Sequence, residues 1–150
     1  MELYNYNAMI NPHWEYRNYV ISSMMDTNRS VIDMGCGSKN LLKYYNPSKY
    51  LGIDGIPYAD VVVDLNSNFD LPGNWDYVVN SGILEFVERP DLYLEKIKKL
   101  GNQYFFSWWR GSGWGRMKFE EIEKLISINY RITNVINFGS TNRLYKCDTL

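Results

Sequence analysis

From about residue 29 the chain alternates short apolar runs with polar, glycine-bearing breaks. "SVIDM" (30–34) is an apolar run ending at a glycine turn, and "KYLGID" (49–54) and "ADVVVDL" (59–65) are β-rich runs with an Asp at or next to the end. "WDYVVNS" (75–81) and "NQYFFSWW" (102–109) continue the series as predicted buried strands. Helical spacing appears elsewhere. "RPDLYLEKIKKLG" (89–101) sets Leu92, Leu94, Ile97 and Leu100 near one face, with late lysines and Gly101 as the stop. "KFEEIEKLISIN" (118–129) predicts a second helix. "PHWEYRNYVISSMM" (12–25) predicts an N-terminal one, with Trp14, Arg17, Tyr19 and Ile21 near helical spacing after a proline suited to a first turn. "YRITNVINF" (130–138) and "NRLYKC" (142–147), joined by Gly-Ser-Thr, read as an antiparallel hairpin.

Strands interleaved with helices predict an α/β sheet that is mostly parallel, with ligand sites outside the carboxyl ends of the strands. The links at 55–59 and 66–74 are too short for full crossover helices, so those connections are expected as loops. The 150 residues, 45% hydrophobic and 22% charged, suit one domain with a real core. Within it, 1–28 reads as a helical segment capping the site, 29–109 as a cofactor-binding core, and 110–150 as an acceptor-side loop, helix and closing hairpin.

A formal net charge of -1 leaves no global basic field to draw a nucleic acid or an anionic membrane, so neither is expected as a partner. Cys36 and Cys147 show neither disulfide spacing nor a Cys/His cluster, so no metal is expected and a reducing cytoplasm fits. The N-terminus lacks the basic start and apolar run of a signal peptide, and no later stretch has the length of a membrane span.

The chemistry concentrates where strands end. Asp33, Asp54 and Asp64 each stand at or near the end of one of the first three runs, and a parallel sheet brings such ends to one crevice. Gly35 and Gly37 let a ligand approach the backbone and are expected to open a helix whose free N–H groups favour an electron-rich partner. Asp54 follows that loop by about 20 residues, a spacing at which an acid can bridge both hydroxyls of a ribose. Asn40 replaces the third glycine of a dinucleotide loop, and Asp33 would repel a pyrophosphate, so a ligand with positive charge is expected. S-adenosylmethionine has the adenosine, the ammonium and the sulfonium these residues call for.

Here the sequence resembles the class I S-adenosylmethionine-dependent methyltransferases. "VIDMGCGSKNLL" (31–42) resembles the glycine-rich first motif, "YLGID" (50–54) the ribose-binding segment and "DVVVDLN" (60–66) the segment beside adenine. "WDYVVNSGILEFVERPDLYLEKI" (75–97) looks like the fourth strand, its loop and its helix. The resemblance implies a Rossmann-like seven-stranded sheet, order 3-2-1-4-5-7-6 with strand seven antiparallel. It implies cofactor contacts from Asp33, Gly35, Cys36, Gly37, Asp54, Gly55, Asp64, Leu65, Asn80 and Ser81. Many relatives carry Leu-Glu-His where this chain has Leu84-Glu85-Phe86, so a histidine role is not carried over there.

Glu85 with Asn80 is expected to line the junction of donor and acceptor, and His13, the one histidine, is the first candidate base. Tyr16, one helical turn from His13, is expected to face the acceptor. "WWRGSGWGRMK" (108–118) offers Arg110 and Trp114 for a polar or anionic acceptor in a glycine-spaced loop, while Trp108 fits a core or a loop role equally. The acceptor is expected to be a small molecule or glycan, methylated on oxygen or nitrogen. A protein or nucleic-acid methyltransferase comes second, and a non-catalytic cofactor-binding or scaffold protein third.

Overall fold

The structure, a computed structural model, describes residues 12–110 and 117–150. In chain order the elements are α1 (Pro12–Ser23), β1 (Ser30–Met34), a 3-10 turn at Asn40–Lys43, β2 (Lys49–Asp54), β3 (Val61–Val62) and β4 (Trp75–Asn80). A second 3-10 turn at Leu84–Phe86, α2 (Pro90–Ile97), β5 (Gly101–Trp109), α3 (Phe119–Asn129), β6 (Tyr130–Phe138) and β7 (Asn142–Thr149) complete it. The seven strands form one sheet in the order β3-β2-β1-β4-β5-β7-β6. β1 through β5 pair in parallel, and β7 runs antiparallel between β5 and β6. That is the order the resemblance implied, and β6–β7 is the hairpin read from the pattern of the chain.

Side-chain alternation divides the core into two layers. Ile32, Val78, Tyr104, Phe106 and Tyr145 point to the face covered by α2 and α3. Val31, Tyr77, Val79, Phe105 and Leu144 point to the other face, where Ile21 of α1 and Leu41 of the first 3-10 turn pack. Because both faces are covered, the central strands β1, β4 and β5 are apolar nearly throughout rather than alternating.

Three local expectations change. The helix expected after the glycine loop is one 3-10 turn, because Lys39 takes a left-handed φ of 61° just before it and Tyr44 already ends it. The third strand shrinks from 59–65 to Val61–Val62: it is an edge strand, and its downstream residues turn away around Asp64. In α2 the buried residues are Tyr93, Leu94 and Ile97, while Leu92 is 50% exposed. Pro90 starts that helix, and in the resulting register the Tyr93 ring, with its hydroxyl bonded to Asn80, takes the inward position.

Candidate functional site

β1 delivers the chain to the carboxyl edge of the sheet, where Gly35 (φ +72°) and Gly37 (φ +54°) turn it in conformations that disfavour any side chain. The loop is pinned to the end of β2. The Gly35 and Cys36 amides donate to the Ile53 carbonyl at 2.7 and 3.0 Å. The Gly37 amide donates to Asp54 Oδ2 at 2.9 Å, and the Gly55 amide to Asp54 Oδ1 at 2.7 Å. Each Asp54 oxygen thus holds one amide and keeps a further lone pair for a ligand hydroxyl. With the following helix reduced to a 3-10 turn, the amides available here come from the loop and not from a helix N-terminus.

Ile83, from the turn after β4, lies over the loop: a Cβ on Gly35 would stand 1.9 Å from Ile83 Cδ1. Gly35→Ala is therefore expected to lower stability by about 1–3 kcal/mol for the left-handed φ alone. Urea titration should show a lower midpoint at unchanged slope. Adding Ile83→Ala should recover only the steric part.

Asp33 is 5% exposed and sits beneath the loop, where the Tyr50 hydroxyl donates to its Oδ2 at 2.7 Å. Burial lifts its carboxyl to about 7; the Tyr50 bond opposes that rise and the Asp54 charge adds to it. Among the described residues its side-chain partner is the Tyr50 hydroxyl and not a loop amide. Cys36 is buried, its thiol raised to about 12 by burial and the nearby carboxylates, so it serves as a small residue in the turn and not as a nucleophile. Lys39 closes the loop from outside with a 2.6 Å ion pair to Asp60, whose other oxygen accepts the Gly52 amide at 2.8 Å.

Asp64 is exposed and makes a local turn, its Oδ1 accepting the Asn66 amide at 2.9 Å. Leu65 is half-buried against the core. Asn80 is wholly buried in the α2 layer: Tyr93 donates to its Oδ1 at 2.7 Å, and its Nδ2 donates to the Phe105 carbonyl at 3.3 Å. Its side chain is therefore not brought to the junction with Glu85, and only its backbone remains for a ligand there.

The turn after β4 instead gathers Ser81, Gly82 and Glu85 with a residue the sequence reading had not singled out for chemistry, Arg17 of α1. Arg17 Nε donates to Ser81 Oγ at 2.6 Å, and its Nη2 lies 2.9 Å from where a Gly82 Cβ would be. The Gly82 amide donates to Ser107 Oγ of β5 at 2.6 Å. Glu85 is 4% exposed, and its Oε2 is buried without a hydrogen-bond partner among the described residues. Burial lifts the Glu85 carboxyl to about 7, with the Arg17 charge opposing. Nothing local in the sequence marks Arg17, whose partner Ser81 lies 64 positions away.

Tyr16 is 59% exposed and meets the Phe138 ring edge-on at 5.7 Å, at the end of β6. Arg110 is exposed at the end of β5; its amide donates to the Thr141 carbonyl at 2.8 Å and its guanidinium lies 5.5 Å from the centre of the Phe119 ring. Trp108 is core, 1% exposed with Nε1 donating to the Met117 carbonyl at 3.0 Å. Trp114 and the side chain of His13 lie outside the described residues. No helix among the described residues is long and apolar enough to cross a membrane.

No protein-family model matches the chain, and no curated protein matches its sequence. Solved structures match its architecture. The N-methyltransferase NodS from Bradyrhizobium japonicum, in complex with S-adenosyl-L-homocysteine, matches at a TM-score of 0.72 and 12% identity, over 92% of this chain and 86% of that one. A SAM-dependent methyltransferase from Aquifex aeolicus matches at 0.70 and 16% identity, over 87% and 88%. Magnesium protoporphyrin IX methyltransferase from Synechocystis, with bound SAM, matches at 0.63 and 15% identity, over 93% and 79%. The chain therefore has the Rossmann-like methyltransferase fold.

Proposed function

We propose that this protein is a S-adenosylmethionine-dependent methyltransferase acting on a small-molecule or glycan acceptor. The observation that carries the reading is Asp54. At the carboxyl end of β2 it is held by the Gly37 and Gly55 amides with a free lone pair on each oxygen, beside a glycine loop at the end of β1. Two outward acceptors on one carboxylate suit a vicinal diol, and the adjacent buried acid suits a cationic ligand over a pyrophosphate.

Gly35, Cys36 and Gly37 would line the methionine portion of the cofactor, with Asp33 beneath them; Gly55, Asp64 and Leu65 would flank the adenosine, and Ser81 with the Asn80 backbone the junction. When bound, the cofactor supplies an activated methyl group for transfer. The chain's part is to orient donor and acceptor, exclude water and accept a proton from the acceptor. Arg110 and Trp114, after β5, would meet the acceptor as part of a covering loop, with Tyr16 on the α1 side, His13 as the first candidate base and Glu85 at the junction of donor and acceptor. The cytoplasm is the proposed location.

Isothermal titration decides the cofactor. S-adenosylmethionine and S-adenosylhomocysteine are expected to bind and NAD is not. NAD binding without a response to either methionine derivative would overturn the reading.

A further inference from the structure

At the half-buried turn Ser81–Glu85, a buried acceptor of the turn and a cationic donor of α1 are not satisfied by each other. Among the described residues Glu85 Oε2 has no hydrogen-bond partner, and a buried carboxylate oxygen in that condition is costly unless a ligand completes it. Arg17, on the opposing helix, senses the Glu85 charge yet makes no ion pair with it, and the one hydrogen bond it makes among the described residues is from Nε to Ser81 Oγ. Its remaining N–H groups sit against Gly82, whose missing side chain leaves room for them. Both groups stand where β4 and β5 end, on the edge that carries the glycine loop.

We infer that Arg17 and Glu85 together form the acceptor site and select a neutral hydroxyl group. This rests on the methyltransferase reading above and names its substrate class. The pair has no net charge and presents one acceptor and one donor. An ammonium would satisfy Glu85 but face the guanidinium, and a carboxylate would satisfy Arg17 but face Glu85. A hydroxyl donates to Oε2 and accepts from Arg17 without either conflict.

As the hydroxyl O–H bond breaks, its proton passes to Glu85 Oε2, and the charge left on oxygen lies against Arg17. A bound cofactor would supply the methyl group for this oxygen and would leave as the neutral thioether, keeping the electron pair of the bond it gives up. The product is a neutral ether, and the protonated Glu85 returns its proton to water. Ser81 is a positioning residue: its hydroxyl fixes the guanidinium.

The test uses the full chain with S-adenosylhomocysteine bound and phenol, un-ionised at pH 7, as the probe, read by calorimetry without turnover. Benzylamine and benzoate serve as size-matched competitors. The wild type is expected to bind the phenol and neither competitor at equal concentration. Arg17→Gln should weaken phenol binding at least tenfold. Glu85→Gln should bind it within a few-fold of wild type but transfer methyl from labelled cofactor to phenols about a hundredfold more slowly. Thermal melts and S-adenosylhomocysteine titration of each variant separate loss of the site from loss of folding, and Arg17→Lys should restore part of the phenol binding if charge at this point matters. Failure of S-adenosylhomocysteine to bind would strike the cofactor reading. Cofactor-product binding with no phenol binding, with benzylamine preferred, or with Glu85→Gln fully active would overturn the hydroxyl site alone.

Discussion

Replacing Asp54 by alanine is expected to weaken S-adenosylmethionine binding by roughly 30- to 1,000-fold. Two charge-assisted hydrogen bonds to ribose hydroxyls are worth roughly 1.5–3 kcal/mol each, and overlapping losses leave about 2–4 kcal/mol. The structure adds a second route to the same loss. Asp54 is also what holds the Gly37 amide at 2.9 Å and the Gly55 amide at 2.7 Å, so the variant loosens the loop it should present to the cofactor. Asp54→Asn separates the two routes. One carbonyl oxygen can keep the Gly37 amide, while the NH₂ group replaces an acceptor with a donor, so an intermediate affinity is expected. Calorimetry on both variants, with urea midpoints as a check on folding, reads the result. An unchanged affinity in Asp54→Ala would mean that the ribose is held elsewhere and would remove the principal support for the proposed cofactor.

How far this edge was legible depends on how local each signal is. Gly35 and Gly37 announce themselves because a left-handed φ after a buried strand leaves little choice of residue. The β1 and β2 boundaries match the predicted runs to the residue, and β1, covered on both faces, is buried nearly throughout. Side chains recruited across layers were not legible. Asn80 ends β4 as a ligand-facing residue would, yet Tyr93 reaches 13 positions back to claim it. Arg17 looks like an ordinary helix-surface cation until α1 is laid across the sheet and Ser81 meets it from 64 positions away. Asp64 shows the reverse failure: its place after an apolar run suggests a strand end, but its side chain is used at once by Asn66 two residues on, a local turn that shortens the strand.

Asp33→Asn is expected to make the protein more stable than wild type at pH 8 and to lose that advantage at pH 4. The carboxyl titrates near its ordinary 3.8 in the unfolded chain and at about 7 in the folded one, where burial disfavours the charge and the Tyr50 hydroxyl compensates only in part. Below 3.8 both states hold the proton and the group contributes nothing. Between 3.8 and 7 the native state binds more protons than the unfolded one, so stability falls as pH rises, and above 7 the loss is complete. A gap of about three units at roughly 1.4 kcal/mol per unit makes that loss about 4 kcal/mol. Asparagine does not titrate, and its carbonyl can still accept from Tyr50, so the variant escapes the loss. Glu85, raised to about 7 for the same reason, tilts wild type and variant alike and cancels in the comparison. So do the carboxylates held low by partners, such as Asp148 with Arg131 and Asp60 with Lys39. Urea titrations of both proteins at pH 4 and pH 8 give the difference of differences; parallel profiles would show that Asp33 is ionised at ordinary cost. Because the same carboxylate lies beneath the loop proposed to hold a cationic ligand, the stabilised variant should also bind S-adenosylmethionine more weakly at pH 8, an exchange of stability for binding at a single buried oxygen pair.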